Sequence, residues 1–457
     1  DKEQKAKRQS ILISRIKKMF KNLKEESDVV SKNDSILTAE STFNQMLSNI
    51  KDFKQGKEID EIWFAVYNWY MQNDEWKPKL KEAIKGFSHK NDAEKITEEN
   101  IKRLYGNTLK TSVSRLEQYR ECPFSFHLKY GLKLKEREEF VVRPIDTGSF
   151  MHEVIDEFFE NTKNIKTIED QEIKEIVNNI IDEKLSLSKN YIFTSTPRFA
   201  VLTNILKKAI LQSITYIVQQ MKNSDFEIAG NEIEFNRKID NVEITGKIDR
   251  IDTAQNEQGK YIRIIDYKSS DRSINLNELE AGTQIQLLTY LDTMVEKTKN
   301  IPVGMLYFNL IDPVIKASRN LTDEQIQEEL KKQFRMSGMV LADVNIIRMM
   351  DKNLQTGASS TIPVTLDKNG DIMDSRSNAI TKEQFTLLQN KVKKIIKQIA
   401  KEILEGNIEI KPTYNKGKKE EACKYCEYKS ICCFNPNVNN YSFIDNKSKK
   451  ELLDNLQ

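Results

Sequence analysis

The chain has 457 residues, of which 31% are charged and 38% hydrophobic, a balance typical of a globular protein and not of a disordered one. The 72 Lys and Arg residues against 69 Asp and Glu give a net charge of only +3, so the surface as a whole gives little support for nucleic-acid binding. Five cysteines exclude a disulfide framework, and no apolar run is long enough to cross a membrane. We expect a cytosolic chain that is part of a longer protein.

Residues 1 to about 110 are predicted to be helical. They contain a basic amphipathic stretch at 11–23 and an aromatic run at 62–70, and no part of them alternates as a strand does. We interpret them as a helical segment without chemistry of its own, in which the aromatic side chains serve packing.

A small α/β core is predicted after residue 110. Ser114 and Glu117 have the spacing of a capping box and start a short helix that ends at Cys122, and a second helix covers 148–161. Next come strands at 232–239, 242–252 and 261–268, a helix at 283–297 and a strand at 303–308. The order helix, three strands, helix, strand describes a core in which the last strand joins the sheet through a crossover.

The region from 313 to about 380 is predicted to be an irregular insert, because Gly, Ser and Asn cluster there without a clear period. No chemistry can be assigned to it. A helix at 384–404 follows, with isoleucines on one face and lysines on the other, and leads to a group of cysteines at 423–433.

The third predicted strand carries an acid and a base on one face. Asp266 and Lys268 are two residues apart, and Asp249 lies on the neighbouring strand, where pairing would bring the two carboxylates close together. Two such carboxylates repel each other unless a cation lies between them. Mg²⁺ or Mn²⁺ can bind carboxylates and a phosphate oxygen together, and a lysine can stabilise the developing charge. The pattern therefore predicts metal-dependent phosphodiester hydrolysis.

Other readings of these residues remain open from the pattern alone. An Asp-x-Lys pair is often a surface salt bridge, although Ile264 and Ile265 indicate a buried sheet, where charge is usually functional. Gln286 and Tyr290 share one face of a helix, and that face either lies toward the site or is an ordinary polar face. His152 could complete the metal shell, but a lone histidine is more often structural and Mg²⁺ prefers oxygen.

The cysteines are unevenly placed along the chain. Cys423, Cys426 and Cys432 lie close together, and Cys122 is the distant cysteine that could supply a fourth thiolate. Zinc ions and iron-sulfur clusters both bind four thiolates. The division into one distant and three neighbouring cysteines favours an iron-sulfur cluster. Because such a site would close a very long loop of the unfolded chain, we interpret it as a structural clasp rather than a redox centre, with Cys433 left over.

Six motifs follow one another between residues 111 and 436. They are Cys122-Pro123-Phe124, Gly148-x3-His152, Gly246-Lys247-Ile248-Asp249-Arg250, Ile265-Asp266-Tyr267-Lys268-Ser269, Gln286-x3-Tyr290 and Cys423-x2-Cys426-x5-Cys432. In this order they resemble the RecB-type nucleases of the PD-(D/E)xK superfamily, and more closely the nuclease domains of AddB-type proteins from AddAB helicase-nucleases. The resemblance implies a restriction-endonuclease-like core at 111–457 with a helical N-terminal segment and a C-terminal iron-sulfur clasp.

The resemblance also implies roles for individual residues. It implies that a divalent cation is held by His152, Asp249, Asp266 and the backbone carbonyl of Tyr267. It implies that Lys268 is the catalytic lysine, supported by Gln286 and Tyr290 near the DNA. It implies that a 4Fe-4S cluster is held by Cys122, Cys423, Cys426 and Cys432.

The activity implied by the resemblance is that of a DNA exonuclease in recombinational repair. The substrate would be single-stranded DNA, the 5′-ended strand at a double-strand break, and the partner would be an AddA-type helicase-nuclease protein in a heterodimer. No Gly-x4-Gly-Lys-Ser/Thr motif is present, so this chain is not expected to hydrolyse ATP, and residues 1–110 would be the tail of a helicase-like region. The alternatives are a non-catalytic DNA-end-binding or assembly module, which a missing acid or lysine would indicate, and a stand-alone exonuclease.

Overall fold

The computed structural model describes residues 10–20, 22–23, 36–54, 57–88, 90–137, 139–313 and 322–454. The chain divides into two compact units, Asp1–Lys90 and Asn91–Gln457. The boundary between the two units therefore lies before residue 110, the position that the sequence suggested for it. Within the described ranges, no helix combines the length and the apolar character needed to cross a membrane.

The first unit is helical where it is described. Its helices are α1 (Ile11–Met19), α2 (Ala39–Lys54), α3 (Ile62–Gln72) and α4 (Trp76–Lys85). Positions 1–9, 21, 24–35, 55–56 and 89 of the predicted helical segment lie outside the described residues. Met46, Trp63, Tyr70 and Leu80 form a small core, against which further aromatic rings pack. Trp63 and Tyr70 of the aromatic run thus serve packing within this unit, whereas Phe64 and Trp69 are exposed.

The second unit is built around one mixed sheet. Its helices are α5 (Glu98–Tyr105), α6 (Val113–Glu121), α7 (Pro123–Phe126), α8 (Pro144–Asn161), α9 (Asp170–Ser186), α10 (Pro197–Lys222), α11 (Leu276–Ala281), α12 (Gln286–Thr298), α13 (Asp323–Gln333), α14 (Val344–Met350), α15 (Lys382–Leu404), α16 (Lys429–Cys432) and α17 (Lys449–Asp454). Its strands are β1 (Leu109–Thr111), β2 (Glu227–Ile239), β3 (Val242–Asn256), β4 (Gly259–Lys268), β5 (Ile301–Asn309), β6 (Ser337–Leu341), β7 (Gly357–Ala358), β8 (Thr365–Leu366), β9 (Ala379–Ile380), β10 (Thr413–Asn415), β11 (Glu420–Glu421) and β12 (Ser442–Ile444).

The main sheet confirms the predicted α/β core. Its strand order is β1-β3-β4-β5-β6-β9, and β2 pairs with β3 beside this path. β2, β3 and β4 are joined as antiparallel neighbours, whereas β4 and β5 run parallel because α12 crosses over between them. The central strands β4 and β5 are almost wholly buried, which requires cover on both faces of the sheet.

Two sequence-based expectations are wrong. The irregular insert contains α13, α14 and two further strands of the main sheet, β6 and β9, while residues 314–321 of it lie outside the described part of the chain. These strands have five and two residues, too few to show an alternating pattern. The predicted capping box is replaced by a cap at Ser112, whose Oγ accepts a hydrogen bond from the Arg115 amide at 3.4 Å. Glu117 points into the protein instead.

A group of charged side chains lies inside the sheet. Asp252 is fully buried and contacts two guanidinium groups: its Oδ1 lies 2.6 Å from Nε of Arg250, and its Oδ2 lies 2.8 Å from Nη2 of Arg263. One carboxylate therefore compensates two buried cations. Removing its charge would leave both cations without an anionic partner in a medium of low polarity.

We expect Asp252→Asn to lower the free energy of unfolding by about 3–5 kcal/mol, measured by urea denaturation. The control is Asp225→Asn, which breaks an exposed 2.7 Å pair with Lys352. That change is expected to lower the free energy of unfolding by no more than about 1 kcal/mol. Equal effects of the two substitutions would contradict this account of the buried cluster.

Candidate active site

The β2–β3 hairpin places two carboxylates opposite each other. Asn231 pairs with Arg250 and Ile233 with Ile248, so Glu232 and Asp249 occupy facing positions between these pairs. Glu232 has a backbone φ of +48°, in the left-handed region that non-glycine residues seldom adopt. Such conformations cluster at functional sites, because the surrounding structure must hold them in place.

Strand β4 contributes the predicted acid and lysine. Asp266 is buried, with a residue exposure of 1%, and its Oδ2 lies 2.5 Å from Nζ of Lys268. This contact has the distance of an ion pair, yet Oδ2 receives no hydrogen bond of regular geometry. Oδ2 of Asp249 accepts a hydrogen bond from the Tyr267 amide at 2.7 Å, which ties the carboxylate of β3 to β4.

Helix α8 brings His152 to the same place. Its Nδ1 lies 3.5 Å from Oδ2 of Asp249 and 3.9 Å from Oε1 of Glu232. One turn earlier, Gly148 allows the helix to approach the end of β4, because a Cβ there would lie 3.3 Å from Oγ of Ser269. One ligand atom from each of His152, Glu232 and Asp249 lies within 4.8 Å of the others.

Burial and like charges shift the acid–base equilibria of this group. Burial and the charge of Asp266 raise the pKa of Asp249 well above its usual range. Burial lowers the pKa of His152, but its hydrogen bond to Glu232 and the charges of Asp249 and Asp266 outweigh this, so that the pKa is raised overall. Burial, with the charge of Glu232, also raises the pKa of Asp156 to about 6. The site therefore favours a bound cation.

Lys268 is held from a second direction by α12. Its Nζ donates a hydrogen bond to Oε1 of Gln286 at 3.0 Å, and Nε2 of Gln286 donates to the Tyr290 hydroxyl at 3.0 Å. The two polar residues of the predicted helix face thus contact the lysine and each other. The fold gathers all six side chains that the sequence singled out here: His152, Asp249, Asp266, Lys268, Gln286 and Tyr290.

An open cavity of about 440 Å³ exposes one side of this group. Its lining includes His152, Glu153, Asp156, Glu232, Lys247, Asp249 and Ser269. Lys247 partly offsets the acidic lining, since its Nζ lies 2.5 Å from Oε2 of Glu232. A polar, acidic cavity of this kind suits a hydrated divalent cation and a phosphate group.

The cysteines form a second candidate site. Cys122, Cys423, Cys426 and Cys432 line one cavity of about 320 Å³, and all are free thiols. No three of these four sulfur atoms, all within the described part of the chain, lie within 4.8 Å of one another. Burial raises the pKa of Cys423 to about 12 and also raises the pKa of Cys122 and Cys432. Cys433 is exposed, and its Sγ lies 3.5 Å from the Ser430 carbonyl.

Sequence reasoning missed two residues at these sites. Glu232 could have been found, because a tight turn at residues 240–241 fixes the hairpin register and sets Glu232 opposite Asp249. Glu117 could not, because its carboxylate accepts hydrogen bonds from the amides of Ile285 and Gln286, 168 and 169 residues further along the chain. No local pattern reports a contact over that distance.

Residues 110–433 match the family model of the PD-(D/E)XK nuclease superfamily. Residues 31–86 match the fifth domain of the ATP-dependent helicase/deoxyribonuclease AddB. The first match contains the main sheet and both candidate sites.

Several curated proteins are similar to the chain over almost its whole length. The B subunit of the ATP-dependent helicase/deoxyribonuclease from Clostridium novyi (strain NT) is 37% identical over 100% of this chain and 42% of its own length. Its namesake from Clostridium acetobutylicum is 38% identical over 99% of this chain, and that from Thermoanaerobacter sp. (strain X514) is 37% identical over 100%. The chain spans 42% of the length of each of these relatives. Since the superfamily match covers residues 110–433, the chain belongs to the PD-(D/E)XK nuclease superfamily.

Proposed function

We propose that the chain is the nuclease part of a two-subunit helicase-nuclease and that it hydrolyses phosphodiester bonds of single-stranded DNA. The observation that carries this proposal is the convergence of Asp249 and Asp266 beside Lys268, with Asp249 lining an open, acidic cavity. The relatives are named as parts of a helicase/deoxyribonuclease, which supports DNA as the substrate. No observation favours the non-catalytic alternative, since neither acid nor the lysine is missing.

A divalent cation, Mg²⁺ or Mn²⁺, fits the residues of this site, as is typical of the superfamily. The donors are mainly carboxylates, which hard cations prefer, and the buried Oδ2 of Asp266 lacks a regular hydrogen bond. We assign the ligands as His152, Asp249, Asp266 and the Tyr267 carbonyl, with Glu232 as an additional carboxylate. When bound there, such a cation polarises the phosphodiester and lowers the pKa of the attacking water.

Among the protein's own groups, Lys268 supplies positive charge for the reaction. Its Nζ is held between Asp266 and Gln286, so the ammonium group has a fixed direction before the substrate arrives. A fixed cation stabilises the negative charge that develops on the phosphoryl oxygens better than a mobile one, because no reorganisation is needed during the reaction. Tyr290 completes this support through its contact with Gln286.

The presence of a basic groove beside the site favours single-stranded DNA as the substrate. The lining of this groove contains six cationic residues, Arg115, Lys129, Lys133, Lys135, Arg137 and Arg143, against three acidic ones, Glu136, Glu139 and Glu427. The half-buried ring of Tyr130 lies among them, 4.9 Å from the guanidinium carbon of Arg115. Ile145 lines both this groove and the acidic cavity, so the two are neighbours. Cations for phosphates and an aromatic ring for bases are the usual means of binding single strands.

The wider assembly is inferred from the resemblance and the relatives. We propose that the chain acts on the 5′-ended strand at double-strand breaks in recombinational repair, together with an AddA-type helicase-nuclease protein. The match of residues 31–86 to an AddB domain supports this, and we propose that the N-terminal segment is the tail of the helicase-like region.

Cleavage of end-labelled single-stranded DNA with Mg²⁺ tests the nuclease proposal. We expect Asp266→Asn to reduce the rate at least about 100-fold, because the variant loses the buried charge that holds the cation and Lys268. The control, Asp240→Asn, makes the same chemical change at an exposed turn with a φ of +48°, which asparagine tolerates. It should cleave at the wild-type rate. An Asp266→Asn protein that cleaves as fast as this control would contradict the proposal.

For the cysteine site, we propose a 4Fe-4S cluster held by Cys122, Cys423, Cys426 and Cys432. Four thiolates are the usual ligands of such a cluster, and the four cysteines line one cavity. The ligands come from the end of α6 and from the C-terminal region, which supports the role of a structural clasp.

Iron content and thermal unfolding of anaerobically purified protein test this site. We expect Cys122→Ser to lose most of its iron and to unfold at a temperature several degrees lower, because the long loop is no longer closed. Cys433→Ser, a matched change at the exposed neighbouring cysteine, should keep both properties. A Cys122→Ser protein with full iron content would show that the proposed ligand set is wrong.

A further inference from the structure

Helix α12, which supports Lys268, begins without a capping side chain of its own. The residue at its N-cap is Ile285, which has no polar side-chain atom. The first amides of a helix have no partner within the helix and need an acceptor from elsewhere. Here the amides of Ile285 and Gln286 donate to Oε1 of Glu117 at 2.7 and 2.9 Å. The cap is therefore supplied by α6.

Glu117 is an unusual residue to bury. Its exposure is 9%, and burial raises the pKa of its carboxyl to about 7 even though the charges of Arg272 and Lys268 and the two amide hydrogen bonds act in the opposite direction. A buried acid is unfavourable unless it is well bonded. The helix N-terminus and the nearby cations offset part of that cost.

The packing between α6 and the start of α12 is close. Gly282, in the turn before α12, has a φ of +84°, and a Cβ there would lie 2.9 Å from Cγ of Arg120 on α6. A larger residue would push the two elements apart. The turn thus lets the carboxylate of Glu117 reach the helix amides directly.

We propose that Glu117 is a positioning residue for Lys268. It fixes the first turn of α12, and Gln286 in that turn accepts the hydrogen bond from Nζ of Lys268 at 3.0 Å. If the cap is lost, the first turn can shift, and the ammonium group loses one of the two contacts that direct it beside Asp266. Small displacements of a catalytic group are enough to reduce a rate strongly. This inference rests on the proposed nuclease function.

The test compares Glu117→Gln with the wild-type chain. Glutamine keeps the shape and one oxygen for the two helix amides, but its neutral oxygen is a weaker acceptor than a carboxylate, so the first turn of α12 is held less firmly. We expect kcat for single-stranded DNA to fall about 10- to 100-fold, with KM and the affinity for Mn²⁺ changed by less than about twofold. The control is Glu405→Gln, at an exposed residue whose nearest cationic partner, Lys401, is 3.8 Å away. An unchanged kcat, or a loss of Mn²⁺ binding along with kcat, would overturn the proposal.

A double-mutant cycle shows whether Glu117 acts through Gln286. We expect Gln286→Ala to lower kcat. The double variant should cleave within about threefold of Gln286→Ala alone, because both changes break the same chain of contacts from Glu117 through Gln286 to Lys268. If the fold-reductions in kcat of the two single variants multiply in the double variant, Glu117 does not act through Gln286.

A readout that does not depend on cleavage is the reactivity of Lys268. Acetylation of lysines by a chemical acylating reagent, followed by mass spectrometry, should be faster at Lys268 in Glu117→Gln than in the wild type or in Glu405→Gln, because the amine is less restrained. Unchanged reactivity would overturn the positioning role. If the wild-type chain does not cleave DNA but the acetylation of Lys268 is still faster in the variant, the result counts against the nuclease function and not against the positioning role.

Discussion

Asp249 and Asp266 come from adjacent strands at the point where those strands separate. Arg250 and Ile265 are the last residues paired between β3 and β4, and two residues further along β4 the amide of Tyr267 donates to the carboxylate of Asp249. Pairing with β2 and with β5 on their other edges holds β3 and β4 at this point, so the two carboxylates stay near each other. Like charges held in this way are unfavourable unless a cation compensates them.

The neighbouring elements can be understood from this constraint. Helix α8 approaches closely enough for His152 to contact Asp249, and the left-handed backbone of Glu232 adds a third carboxylate on the same face. Lys268 and Lys247 supply positive charge from two sides, but each already contacts one carboxylate. The protein thus brings the charges together and leaves an open, acidic cavity beside them.

Helix α6 is connected to both candidate sites. Glu117 in its middle caps the helix that supports Lys268, and Cys122 at its C-terminal end lines the cysteine cavity. A cluster that fixes the end of α6 would also restrain the position of Glu117. The proposed clasp and the proposed nuclease site are therefore joined by a single helix of nine residues.

Much of this arrangement could be predicted from the sequence, because the patterns that carry it are local. Alternation located the strands that bear Asp249, Asp266 and Lys268, and helical spacing placed Gln286 and Tyr290 on one face. The strands β6 and β9 are too short to show a pattern, which is why the prediction of an irregular insert is wrong. The sequence predicts a local cap at Glu117, but the partners of its carboxylate lie at the start of another helix, and only the tertiary structure reveals them.

The most direct test of the central claim is a titration of the chain with Mn²⁺, followed by electron paramagnetic resonance. The account predicts a bound Mn²⁺ ion whose affinity falls at least about 10-fold in Asp249→Asn, with a smaller loss in Glu232→Gln, because each change removes a proposed carboxylate ligand. Wild-type affinity in Asp249→Asn would contradict the claim that these carboxylates are gathered to hold a divalent cation.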